Sequence, residues 1–196
     1  MRFAEPVTLR GSHVTLAPLT AEHAEALCQA TLDGELWKLW YTAVPSPDGM
    51  QAEIQRRLGL QANGSMLPFT VRDAAGKVVG MTTFMNIDAN HKRVEIGSTW
   101  TAASAQRGPL NTECKLLLLA HAFDTLGCIA VEFRTHVFNQ QSRRAIERLG
   151  ARLDGVLRSH QRASNGTLRD TVVYSIVASE WPTVRAHLQW QLVRPR

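Results

Sequence analysis

Apolar positions along this chain switch between a spacing of two and one of about 3.6 residues, and those switches divide it into strands and helices. Val7–Leu9 and Val14–Leu16, interrupted by Arg10-Gly-Ser-His13, read as a first strand or hairpin leading to Pro18. Thr20 suits the N-cap of a helix to about Leu32, with Ala24, Leu27, Cys28 and Thr31 on one face and Gly34 as its stop. Leu36–Val44 is aromatic-rich, suited either to burial or to a pocket wall, and ends at Pro45-Ser-Pro47. Asp48 suits the cap of a second helix to about Ala62, striped by Met50, Ile54 and Leu58. Leu67, Phe69 and Val71 then alternate with Pro68, Thr70 and Arg72, and Ala74-Ala-Gly76-Lys77 turns the chain into Val78–Ile87, an antiparallel hairpin. Asp88–Lys92 turns again into Val94–Trp100, the fourth strand of the count.

Beyond a polar loop, Asn111 or Thr112 starts a helix to about Leu126, closed by Gly127. Cys128–Thr135 is a fifth strand. The helix from Gln140 to Leu149 turns Ala145, Ile146 and Leu149 inward and leaves Arg143, Arg144 and Arg148 to solvent or phosphate. Arg152–His160 and Leu168–Val177 flank an Asn165-Gly166 hairpin turn, and Glu180-Trp-Pro182 opens a terminal helix. Mixed strands and helices around one sheet predict an α/β or α+β sandwich. With 196 residues, 44% of them hydrophobic, and no linker-like stretch, the expectation is one domain over 1–196.

Composition adds a few bounds. The formal charge of +5 favours anionic partners such as a polyphosphate cofactor. The basic residues are scattered, and no aromatic-basic strand motif is present, which argues against nucleic acid. Cys28, Cys114 and Cys128 lack metal-ligand spacing, so no metal is expected; they read as small buried hydrophobes and as free thiols of a reducing compartment. No signal-like core and no run of ~20 apolar residues occurs, so the expectation is a soluble, cytoplasmic protein without a membrane partner.

Chemistry concentrates in residues 104–123, where the loop Ser-Ala-Gln-Arg-Gly-Pro runs straight into a Leu-rich helix. Backbone N–H groups and the positive end of a helix dipole meet there, which is what a phosphate requires. An ordinary turn that merely starts a helix would look the same in isolation. The context narrows the reading: Glu95-Ile-Gly97, Asn111-Thr-Glu113, Asn139-Gln-Gln-Ser142, Leu149-Gly150 and Leu157-Arg158 follow one another in order. In this order the chain resembles the GNAT superfamily of acyl-CoA-dependent N-acyltransferases, in the branch that includes the ribosomal-protein N-terminal acetyltransferases.

That resemblance implies a mixed, mostly antiparallel sheet of about seven strands, splayed between the fourth and fifth and flanked by helices. It implies acetyl-CoA as cosubstrate, direct attack by a primary amine, and no metal. The family loop is Gln/Arg-x-x-Gly-x-Gly/Ala, whereas this chain reads Gln106-Arg107-Gly108-Pro109-Leu110-Asn111. Pro109 has no N–H. Phosphate binding would then fall to the amides of Gly108, Leu110, Asn111 and Thr112, with Gln106 and Arg107 beside them and Arg144 on the next helix. The backbone of Ser98, Thr99 and Trp100 would run beside the pantetheine arm, and Asn139 would hold its amide. Glu95 is the candidate base, against a plain salt-bridged reading with Lys92 or Arg93, and Ser142 the candidate acid, against plain capping. Trp37, Trp40, Tyr41 and His160 are candidates for the acceptor side, with His136 ranked below His160; Asp170 and Tyr174 match family positions without an assigned role. The acceptor amine is open among a protein N-terminus, a lysine, an amino acid and an antibiotic, and the apolar stretch Trp181–Leu192 offers a face to a second copy, a homodimer. The contrasting expectation, prompted by Pro109, is a non-catalytic acyl-CoA-binding or regulatory domain that kept the fold.

Overall fold

The computed structural model describes residues 3–163 and 165–194. Eight strands form one sheet in the order β1-β2-β3-β4-β5-β6-β8-β7. They are β1 Leu9–Arg10, β2 Val14–Pro18, β3 Met66–Asp73, β4 Val78–Asp88, β5 Arg93–Thr101, β6 Ala130–His136, β7 Arg152–Arg162 and β8 Leu168–Val177. The count exceeds the expected seven or so because the first apolar run resolves into two paired strands, Leu9 lying opposite Leu16. All neighbouring pairs are antiparallel except β5 and β6.

That parallel pair is short, and its shortness makes the site. Register holds only for Arg93 with Ala130, Val94 with Val131 and Glu95 with Glu132. Beyond Glu95 the two strands part. The remainder of β5 and Phe133–His136 of β6 become the walls of a cleft, with backbone groups on the inner edge of β5 released from ladder pairing.

Among the described residues five α-helices flank the sheet: α1 Ala24–Leu32, α2 Met50–Ala62, α3 Leu110–Ala120, α4 Gln140–Glu147 and α5 Trp181–Val193. α1 and α2 bury Leu27, Met50 and Ile54 with Met81 and Trp100 on one side. The larger core gathers Leu16, Phe69, Phe84, Val131, Phe133 and Tyr174 with Leu118 and Leu119 of α3 and Leu188 of α5. α2 begins after Gly49 rather than at Asp48, because Ser46 Oγ accepts the Gly49 N–H (3.2 Å) and the chain is still turning there. Arg57 of α2 is 1% exposed, its charge met by Glu53 Oε1 at 2.7 Å and its reach satisfied by Thr83 Oγ1 at 2.7 Å. α3 ends in a wider π turn, His121–Thr125, that carries the expected helix to Leu126.

Glu113 ties the first hairpin to α3. Its carboxylate accepts the Ser12 N–H at 2.9 Å and the His13 N–H at 2.6 Å. A Cβ on Gly11 would fall 2.3 Å from that carboxyl carbon, so glycine is required for the approach. The acid of the Asn111-Thr-Glu113 motif therefore builds the frame and does not face the cleft.

Candidate active site

The cleft between β5 and β6 measures about 1180 Å³ and is closed at one end by α3 and α4. Its floor is the point where the strands part, and Glu95 sits there, 5% exposed. A bulge in β4 directs Asn86, in the left-handed region at φ 49°, so that its Nδ2 donates to Glu95 Oε2 at 2.7 Å. Arg134 Nε stands 3.7 Å from the same oxygen but is engaged more closely by Glu132. Burial pushes the Glu95 carboxyl above the ordinary carboxylate range, against the opposing pull of Asn86 and Arg134. The pairing partners expected for it, Lys92 and Arg93, are not the ones it has.

The Glu-Ile-Gly spacing acquires a physical reason here. Residues two apart on a strand share a face, and the Glu95 side chain lies across Gly97. A Cβ on Gly97 would stand 2.8 Å from Glu95 Oε1 and 2.7 Å from Met85 Sδ.

Ser98 adopts φ 48° in a second bulge, where Ser98 and Thr99 together oppose Thr82. Ser98 and Thr99 are exposed, with the Thr99 hydroxyl turned toward Thr82, and Trp100 packs inward, 4% exposed. At the end of β5, Gln106 Nε2 donates to Thr101 O at 2.9 Å and its Oε1 accepts from Gln141 of α4 at 3.3 Å. Arg107 takes φ 61°, and Pro109 is the N-cap residue of α3. Among the described residues no side chain caps that helix start. The amides of Leu110, Asn111 and Thr112 thus remain as the unsatisfied first-turn donors, while Glu113 N–H already bonds Pro109 O at 3.0 Å. Proline costs only one of the helix's four orphan donors. Gly108, Asn111 and Thr112 line the cleft; the Leu110 side chain is buried in the core, so only its amide can serve.

Cations line the cleft as well. Arg144 of α4, Arg148 just past its end and Arg194 after α5 line the cleft, and neither Arg144 nor Arg148 has a salt bridge among the described residues. Uncapped amides, free guanidiniums and a parted strand edge match a long ligand that carries phosphates at one end. The donor set fits coenzyme A.

Asn139 caps α4 by accepting the Ser142 N–H on Oδ1 at 3.0 Å. The Ser142 hydroxyl lines the cleft and has no hydrogen bond among the described residues. Capping and cleft placement therefore coexist in these two residues.

On the far side, a bulge in β7 is pinned by Asp170, which accepts the Ser159 N–H at 2.7 Å and Arg158 Nε at 2.8 Å. This swings His160 to the cleft, where its Nδ1 lies 3.1 Å from Thr171 Oγ1. Tyr174 bonds Glu147 and Arg143 outside the cleft. Tyr41 lines the cleft with Leu36 and Leu39, but Trp37 and Trp40 do not. Trp40 instead stands edge-on over His136, with ring centroids 5.1 Å apart, at the cleft's rim.

His136 is more deeply placed than its low ranking anticipated. It is 3% exposed, its Nδ1 accepts the Phe138 N–H at 3.1 Å, and its Nε2 has no partner among the described residues. Burial, then the nearby Arg169 charge, lowers its pKa, so the ring is neutral with the proton on Nε2. Sequence reasoning passed over Asn86, Arg134, Arg169 and Lys115, all of which line the cleft. Only Lys115 carried a visible signal, a lone charge set between Cys114 and four leucines.

With the cleft described, known proteins supply the frame. The acetyltransferase (GNAT) domain family matches residues 13–152. The chain belongs to the GNAT acetyltransferase family. Among curated relatives, the uncharacterized N-acetyltransferase p20 of Bacillus licheniformis is 26% identical over 178 residues, covering 89% of this chain and 98% of that protein. A GCN5-related N-acetyltransferase from Brucella melitensis has a solved structure that superposes with a TM-score of 0.86 at 32% identity, covering 97% of this chain and 87% of that one. Mycobacterium smegmatis RimJ, solved in complex with CoA-disulfide, gives a TM-score of 0.80 at 23% identity over 95% and 94% of the two chains, a likeness of fold. This GNAT protein is thus an acetyl-CoA-dependent N-acetyltransferase, and its cleft is the place to look for the chemistry.

Proposed function

We propose that residues 1–196 act as one acyltransferase unit that moves an acetyl group from acetyl-CoA to a primary amine by direct attack within a ternary complex. Acetyl-CoA supplies an activated thioester; the remaining work falls to the chain. The first-turn amides of α3, with Arg107, Arg144, Arg148 and Arg194, hold the phosphates, and Gln106 and Gln141 brace the loop against α4. Asn139 keeps α4 in register with the end of β6. The unpaired edge of β5 from Gly97 to Trp100 offers backbone N–H groups toward the acyl carbonyl, stabilising charge that develops there.

An attacking amine must lose a proton, and Glu95 takes it, directly or through one water. Burial makes its carboxylate more basic than an exposed one, which suits this role. Ser142 donates a proton to the departing thiolate. Tyr41 and His160 face the acceptor, with the Trp40–His136 pair at the rim. Among the described residues no cysteine lines the cleft, which favours direct transfer over a covalent thiol relay. The acceptor we favour is a protein N-terminus, on the analogy of the similarly folded acetyltransferase from Salmonella typhimurium that modifies the N-terminal serine of ribosomal protein L7/L12, with small-molecule amines as the competing class. Exposed Trp190 on α5 leaves a face for a second copy of the chain.

The observation that carries this reading is the buried carboxylate of Glu95, oriented by Asn86 where the strands part. Its test is thiol release from acetyl-CoA across a panel of N-terminal peptides and small amines, with Glu95→Gln in parallel. Turnover on some amine that falls at least tenfold in the variant is expected. Coenzyme A binding with no release on any amine would return the non-catalytic acyl-CoA-binding domain.

A further inference from the structure

Lys115 lies one turn into α3 and is buried, at 7% exposure, on the lining of the cleft. Its Nζ donates to Thr99 Oγ1 at 2.8 Å and reaches Thr82 Oγ1 at 3.4 Å, while the two hydroxyls lie 2.8 Å from each other. No carboxylate pairs with it among the described residues. Buried lysines without an acid are rare because an unpaired charge in a low dielectric is costly. Burial accordingly lowers its pKa. Two threonine oxygens also fall short of the three acceptors that an ammonium can use.

Its position explains why such a group would be kept. Helix side chains lean toward the helix N-terminus, so a lysine at this point reaches back to the first turn, where the amides of Leu110, Asn111 and Thr112 are unsatisfied. The hydrogen bond to Thr99 fixes Nζ against β5 beside the Ser98 bulge. Lys115 thus lines the cleft together with Thr99 of β5 and with Asn111 and Thr112 of the helix start.

We infer that Lys115 is a cofactor-binding residue whose missing counter-charge is the diphosphate of coenzyme A. This rests on the acetyl-CoA reading above and adds to it a side-chain cation placed beneath the loop in which Pro109 has removed one amide. The pairing is made only in the complex, so the free protein carries a destabilising group that the ligand relieves. A purely structural lysine would behave in the opposite way.

Lys115→Met nearly preserves length and removes the charge, and two measurements on the full chain separate the cases. Calorimetric titration with coenzyme A should show affinity at least tenfold weaker in the variant, and the ligand-free variant should melt at or above the wild-type temperature. Unchanged affinity, or a ligand-free variant that melts several degrees lower, overturns the inference. Should the variant fail to fold, the lysine ¹³Cε resonances of the wild type provide the readout. The midpoint of the Lys115 signal's pH titration is expected to rise on saturation with coenzyme A, and an unmoved midpoint overturns the assignment. If the wild type itself takes up no coenzyme A, the acetyltransferase reading fails at its root, a result distinct from normal binding by the variant.

Discussion

Gly97→Ala tests whether the site depends on the placement of one carboxylate. An alanine Cβ would stand 2.8 Å from Glu95 Oε1 and 2.7 Å from Met85 Sδ. Since ordinary non-bonded contact begins at about 3.5 Å, each neighbour has to retreat by roughly 0.7 Å. The Met85 thioether has room to rotate. The Glu95 carboxylate is fixed by its 2.7 Å bond from Asn86, so displacement stretches or breaks that bond. A misplacement approaching 1 Å in a proton-transfer group costs up to about 10²-fold in rate, so kcat is expected to fall by roughly 10- to 100-fold. Overpacking on this scale costs about 1–3 kcal/mol of stability, and coenzyme A affinity should stay within about threefold because the phosphate end is untouched. Thiol-release kinetics, thermal melting and calorimetry on the same preparation report the three quantities. Because both changes act on one carboxylate, Glu95→Gln with Gly97→Ala should be hardly slower than Glu95→Gln alone. A kcat within twofold of wild type for Gly97→Ala, or a double variant whose losses multiply, would refute the argument.

Three further outcomes follow from the same geometry. The Glu95 carboxyl is raised above its unfolded value, so its proton adds stability that is present below about pH 4.3 and disappears as pH rises through the folded pKa. Glu95→Gln should therefore melt above the wild type at pH 7.5 and close to it at pH 4; in the wild type, kcat should decline on acidification at a pH above the ordinary carboxylate range. Glu113→Ala strips the acceptor from the Ser12 and His13 amides and should cost about 2–3 kcal/mol in urea unfolding, with coenzyme A affinity nearly kept. Asn139→Ala removes the α4 cap and should cost about 1 kcal/mol. It should also lower turnover, read as thiol release, because Ser142 loses the anchor of its backbone.

Periodicity made most of the elements legible. The Leu-rich run, the alternation of β3 and β4 and the Asn165-Gly166 turn each state their structure locally, and residues of the short motifs Glu95-Ile-Gly97 and Asn139-Gln-Gln-Ser142 line one cleft. Three-dimensional partners were not legible in the same way. Glu95 had Lys92 and Arg93 as sequence neighbours, yet it meets Asn86 from the strand on one side and Arg134 from the strand on the other, because sheet order and register decide who faces whom. The aromatic segment after α1 has no period, so nothing in it separates Tyr41, inside the cleft, from Trp37, outside it. Lys115 reads as an oddity in an apolar helix, and only the enclosing threonines turn that oddity into chemistry. His136 and His160 are both strand-end histidines by sequence; the surrounding rings and the orphaned Nε2 distinguish them.

The sheet's irregularities, more than its regular ladder, shape the cleft. Asn86, Ser98 and Ser159 hold φ values of 49°, 48° and 49°, a region non-glycine residues enter at a cost. Each lies where strand register shifts, and each serves the site: Asn86 aims its amide at Glu95, Ser98 turns the β5 backbone toward the gap, and Ser159 gives its N–H to Asp170 so that His160 faces inward. A regular antiparallel strand alternates its side chains strictly and has no means of presenting consecutive groups to one face. Bulges break that alternation at the cost of local strain. Because the surrounding core is continuous, with Phe84, Val94, Ile96, Phe133 and Val172 packed together behind the gap, the strain is held in place and does not relax by slipping register. The same continuity ties the two halves of the chemistry together: the core that fixes β5 against β4 also fixes α3 through Leu118 and Leu119, so the carboxylate at the strand's parting and the amides at the helix start keep a constant separation.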